Sequence, residues 1–196
     1  MLNDLIVPRV IIIHGGQSYQ NQEEYLQNLA QSEVRFNYEK SGWNIYLKNQ
    51  LLEYAEVLLP KMPCSDNAKY SEWKQVFEKL EISSSDIVIG HSLGGIFLAK
   101  YFSENHKHIK QIHLVAPDYA EGDFVFHPEL AHELEHNCHN NLHLWQSEDD
   151  FALPITGGLK YREVLKNYKP HFFTQKGHFL TSNFPELLVE LMEILG

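Results

Sequence analysis

Ser92 lies in the pentapeptide Gly-His-Ser-Leu-Gly, between the apolar run "DIVI" and the helical pattern "IFLAKYF". A serine hydroxyl attacks poorly until a base removes its proton, and a histidine doing so needs a carboxylate to orient it. Downstream of Ser92 come the pair Asp149–Asp150 and then His178, the order serine, acid, histidine that a strand–turn–helix nucleophile uses. A G-x-S-x-G match alone is weak, arising by chance in about one chain of this length in fifteen. Its flanks are specific: the strand before and helix after are what the motif requires. Gly90 and Gly94 stand where a serine held on a sharp turn leaves least room for a Cβ, and a helix starting at Leu93 aims its N-terminal N–H groups at an anion formed beside Ser92.

A second signature competes. His132 to His136 reads H-E-L-E-H, which on a helix places two imidazoles one turn apart, as in zinc peptidases. A catalytic zinc needs a third protein ligand and an open position. His139 adds only another residue of the same short segment before the next strand begins, so a solvated helix is expected, with adventitious metal binding at His132, His136 and His139 and a zinc hydrolase as more remote readings.

The elements that must position Ser92, the acid and His178 follow from periodicity. Apolar runs at 9–13, 56–59, 87–90, 112–116, 142–146 and 171–174 read as strands. Between them fall helical stripes: Trp43, Leu47 and Leu51; Trp73, Val76, Phe77 and Leu80; Leu187, Leu188, Leu191 and Leu195. Nearly all-apolar strands alternating with helices predict an α/β fold, a doubly wound and mainly parallel sheet of about six strands covered on both faces. In such sheets ligands bind beyond the carboxyl ends of the strands. The loops "HGGQ", "HSLGG", "SEDD" and "QKGHF" all follow predicted strands.

Composition bounds the partners. With 196 residues, 43% apolar, the chain is expected to form one domain over 1–196 with a sizeable core. A formal charge of −10 offers no basic face, so neither nucleic acid nor an anionic membrane is expected as a partner. "MLNDLIVPRV" shows no secretory leader, and a cytoplasmic location is expected. Cys64 and Cys138 have no metal or redox spacing and are read as inert.

With these residues the chain resembles the α/β-hydrolase superfamily and, within it, the small serine hydrolases of the retinoblastoma-binding protein nine family. The likeness runs through "IIIHGG", the helix led by Trp43, "LLPKMP", the helix bearing Trp73, "IVIGHSLGG", "LVAP", "SEDDFALP" and "KGHF". It implies Ser92 as nucleophile, His178 as base and then acid, and an oxyanion hole from the backbone N–H of Leu93 and of Gly16 or Gln17. Asp150 stands four residues before Pro154, the spacing of the acid loop in these hydrolases, and is favoured as orienter, with Asp149 the alternative. No metal or organic cofactor is implied. One departure is residues 17–42, inserted after the glycine loop and either a lid over the site or a surface excursion. The L-x-C-x-E pattern of retinoblastoma binding is absent, so that partner is not inherited.

The resulting expectation is a serine hydrolase acting on a small-molecule ester, or an amide or thioester, through an acyl-enzyme. Substrate contacts are sought at His14, Gly15, His91, Tyr119, Phe124, Phe126 and Phe151, with core or loop packing the alternative for each; His171 is read as a core or edge residue. From another class, an interaction protein could keep the fold with an idle site, which loss of a Ser92–His178 hydrogen bond would favour.

Overall fold

The computed structural model describes residues 7–32, 42–153 and 155–196. Strand β1 (Arg9–Ile13) is followed by α1 (Gln22–Gln31), α2 (Trp43–Gln50), β2 (Glu56–Leu58) and α3 (Tyr70–Glu78). Then come β3 (Ile87–His91), α4 (Leu93–Glu104) and β4 (Gln111–Val115). A two-stranded antiparallel ribbon, β5 (Ala120–Glu121) and β6 (Phe124–Val125), precedes α5 (Ala131–Asn137). The chain ends through β7 (Leu142–Ser147), α6 (Ile155–Val164), β8 (Lys169–Phe173) and α7 (Pro185–Leu195).

Six strands form one parallel sheet in the order β2-β1-β3-β4-β7-β8. Alternation along β1 explains its continuous apolar run: Ile11 and Ile13 join a core with α3, α4 and α5, while Val10 and Ile12 join another with α2 and α7. The expected helical stripes are the contact faces, with Trp73 and Phe77 buried under α3, Trp43 and Leu47 under α2, and Leu187 and Leu191 under α7.

Strand β8 starts two residues before the expected position. Pro170 lies within it, which a sheet interior excludes but this edge position allows. The β5–β6 ribbon and α6 were not anticipated. Two-residue strands carry no period, and Gly157–Gly158 obscures the helical pattern of α6. Of the insertion 17–42, Ser18 and Tyr19 are packed down, α1 buries none of its residues, and 33–41 lie outside the described residues. Among the described residues no helix is long and apolar enough to cross a membrane.

Because the chain leaves β1 for β2 and returns to β3 on the other side, the strand order reverses between β1 and β3. The loops after these strands, carrying Gly15–Gly16 and Ser92, therefore meet at the switch point where such sheets bind ligands.

Candidate active site

Ser92 is held at φ 55°, ψ −122°, a conformation that costs a non-glycine residue about 1–3 kcal/mol and persists only where the surroundings enforce it. They do: Ser92 N–H donates to Val115 O at 2.9 Å, and its carbonyl accepts from Gly95 and Ile96 at the start of α4. A Cβ on Gly90 would stand 2.3 Å from Gly94 O, and one on Gly94 would stand 2.4 Å from Ile13 O. The two glycines thus let α4 press onto β1 and β3 behind the turn.

Gly15 packs against Ser92, since a Cβ there would stand 3.1 Å from the serine Cβ. In the same loop Gln17 N–H donates to Ser65 O at 2.8 Å and Gln17 O accepts from Ala68 N–H at 2.8 Å, which anchors the loop. Of the two loop donors considered from sequence, Gln17 is therefore already engaged. The N–H groups of Gly16 and Leu93 have no partner among the described residues. His14 is spent on the scaffold too: Met62 N–H donates to Nε2 at 3.0 Å, so Nδ1 carries the proton and donates to Gly15 O at 2.6 Å.

Asp150 and His178 follow β7 and β8. Nδ1 of His178 stands 3.0 and 2.9 Å from the two oxygens of Asp150, and both side chains are 8% exposed. Asp150 Oδ1 also accepts from the N–H groups of Ala152 and Leu153, which aims the carboxylate. The neighbouring Asp149 points elsewhere, accepting from Ser147 Oγ and from Gly177 N–H at 2.8 Å. Those hydrogen bonds hold its carboxyl below the usual range. Asp149 links the two loops, and Asp150 meets the imidazole.

Strand β8 is three places from β3, about 14 Å across the sheet, so the loop bearing His178 must reach back. Buried Phe179, packed on Phe173 and Phe184, anchors it, and His91 Nε2 meets His178 O at 2.8 Å. Burial first, and His178 second, lower His91 to about 4, so it is neutral at pH 7 and donates to that carbonyl. The His91 and His178 rings lie 5.0 Å apart. No hydrogen bond joins Ser92 Oγ to His178 among the described residues. Such bonds often form only when substrate is bound.

The expected aromatic contacts divide. Phe124 and Phe126 are core residues, Phe124 buried against Trp73, Tyr70 and Phe97 and Phe126 stacked on Tyr161; Tyr119 is packed on both Phe126 and Tyr161. Phe151 is exposed, its ring 6.2 Å from that of His178. Sequence reasoning missed a cavity of about 230 Å³ beside Asp150, lined by Ala116, Gln146, Ser147, Leu153, Leu159 and Arg162 among others. It also missed Asp118, whose carboxyl is raised by burial against the opposing pull of the Tyr119 N–H and of Lys160. No periodicity in the sequence marks these residues, since Gly157–Gly158 hides the helix that carries Leu159 and Arg162. On α5, His132 meets Glu129 O and Glu133, and among the described residues His132, His136 and His139 join no three-ligand group.

The chain superposes on the ydeN gene product of B. subtilis with a TM-score of 0.70 over 95% of this chain and 97% of that one, at 15% identity. A putative ydeN-like hydrolase from Pectobacterium atrosepticum gives 0.62 at 13% identity, covering 95% and 89%. Est1E from Butyrivibrio proteoclasticus, solved with ferulic acid, gives 0.58 at 14% identity, covering 96% and 89%. The chain has the α/β-hydrolase fold. No family model matches it. At these identities the likeness reaches the α/β-hydrolase fold and no subfamily, so the resemblance to the retinoblastoma-binding protein nine family rests on its sequence motifs alone.

Proposed function

We propose that the protein is a serine hydrolase that cleaves small carboxylic esters, or amides or thioesters, through an acyl-enzyme. The observation that carries this reading is the contact of His178 Nδ1 with both oxygens of Asp150, at the sheet edge where Ser92 occupies a strained turn. Ser92 Oγ attacks the acyl carbon as His178 Nε2 takes its proton, and Asp150 stabilises the resulting imidazolium. The N–H groups of Leu93 and Gly16 hold the oxyanion; loss of one such donor costs about 10²–10³ in turnover. Collapse expels the leaving group, which takes the proton from His178. Water, deprotonated by the same imidazole, then releases the acid and restores Ser92.

The cavity of about 230 Å³ that reaches Asp150 is of a size for small groups, and the ydeN-like hydrolase on which the chain superposes supports the reaction class. The missing Ser92–His178 hydrogen bond favours a second reading, an interaction protein with an idle site. Turnover decides between them: p-nitrophenyl acetate and longer p-nitrophenyl esters are hydrolysed by the wild type and not above background by Ser92→Ala. Equal rates from both proteins, each folded, would overturn the proposed reaction.

A further inference from the structure

On the α7 face of the sheet, away from Ser92, three donor atoms converge. Adjacent strands carry the two imidazoles: His143 on β7 and His171 on β8 stack at 5.2 Å and 10°, with His143 Nδ1 3.0 Å from His171 Nε2. Glu190, on α7, brings Oε2 to 3.6 Å from His143 Nδ1, and all three atoms lie within 4.8 Å of one another. We propose that His143, His171 and Glu190 bind a single divalent cation of the zinc class, which ties α7 to the β7–β8 edge of the sheet.

The spacing suits that ion. Ligands about 2.0–2.1 Å from a tetrahedral zinc stand about 3.3 Å from each other, between the 3.0 and 3.6 Å found for two of the pairs. Two imidazoles and one carboxylate make a borderline donor set that favours zinc over calcium or magnesium. At 3.0 Å one of the two facing nitrogens, His143 Nδ1 or His171 Nε2, carries a proton toward the other, and the cation takes that proton's place on binding and releases it.

Surrounding groups orient the donors. Gln111 Nε2 stands 2.7 Å from His143 Nε2 and Gln111 Oε1 is buried without a partner, so turning that amide supplies an acceptor, beside Asn141 Oδ1 at 3.3 Å, for a proton on Nε2 and leaves Nδ1 as the ligand. Trp145 stacks on His171 at 3.6 Å and 5°, fixing its ring plane. In the same histidine row, buried His113 Nε2 has no hydrogen-bond partner among the described residues. Lys169 Nζ meets Glu190 Oε2 at 2.6 Å, but its side chain is half-exposed and Glu193 at 3.9 Å offers it another carboxylate. His143 is four residues before the end of β7, about 13 Å from the edge that carries Asp150, so the cation site is separate from Ser92.

Titration of the full chain with zinc, after dialysis against chelator, tests the assignment by calorimetry. One zinc per chain is expected for the wild type, with binding at least ~10-fold weaker in His171→Ala and in Glu190→Gln and unchanged in His136→Ala. Glu190→Gln preserves shape on a helix surface, which guards against loss of the Trp145 stack in His171→Ala. Cobalt(II) bound there quenches Trp145 fluorescence, and Glu190→Gln abolishes that quenching. No saturable binding up to about 1 mM zinc, or binding lost in His136→Ala and retained in Glu190→Gln, would overturn the proposal.

Discussion

Asp150 faces His178 with both carboxylate oxygens, at 3.0 and 2.9 Å from Nδ1, while Asp149 beside it is committed to Ser147 and Gly177. Two adjacent residues of one type thus receive different tasks from the direction of a single turn. Asp150→Asn leaves the loop in place but presents an amide that favours the wrong imidazole tautomer. We expect kcat for p-nitrophenyl acetate to fall by about 10³–10⁴, against less than ~10-fold for Asp149→Asn, in steady-state assays of the two variants. The reverse order would exchange their roles.

The glycines around the turn separate stability from activity. Gly94→Ala forces a Cβ to 2.4 Å from Ile13 O and 2.7 Å from His14 O, backbone atoms that cannot yield without moving β1. A loss of more than about 3 kcal/mol is expected in urea unfolding, with the midpoint lowered accordingly. Gly15→Ala instead meets the Ser92 Cβ at 3.1 Å, so turnover falls while the unfolding midpoint moves by less than half as much.

Acid weakens the fold through its buried histidines. Burial, the leading cause in each case, lowers His91, His143 and His171 to about 4 and His113 well below its usual value. The unfolded chain takes up protons near pH 6.5 that the folded chain refuses, so stability falls as pH drops from there toward 4. Between pH 7 and pH 5 we expect a loss of about 2–5 kcal/mol in urea unfolding, with part-exposed His171 contributing least.

Glu121 has the opposite sign. Burial pushes its carboxyl up to about 7, so the folded chain holds a proton the unfolded chain has released, and stability is lost as pH rises through 7. Glu121→Gln is therefore expected to raise the unfolding midpoint at pH 8 more than at pH 5. An equal shift at both values would contradict this.

Local pattern carried the succession of strands and helices and the serine turn. Apolar runs and amphipathic stripes are properties of neighbours in sequence, and β1, β3, α4 and α7 declare themselves that way. What was hidden depends on contacts across the sheet. The spacing to Pro154 favours Asp150 over Asp149 only by resemblance, and the contact that separates them forms when the His178 loop folds back against them; Phe124, in a two-residue strand, has no period to separate inward from outward. Engagement of the Gln17 N–H depends on Ser65, far along the chain. The meeting of His143, His171 and Glu190 requires two strands and a helix to pack, which no spacing in the sequence announces.

The proposed reaction requires Ser92 to be an activated nucleophile. Intact-mass measurement of the wild type and of Ser92→Ala after incubation with a fluorophosphonate tests it without a guess about substrate. A single adduct on the wild type and none on the variant is the predicted result. Folded wild-type protein that remains unmodified would contradict a serine mechanism and bring forward an interaction protein built on the same fold.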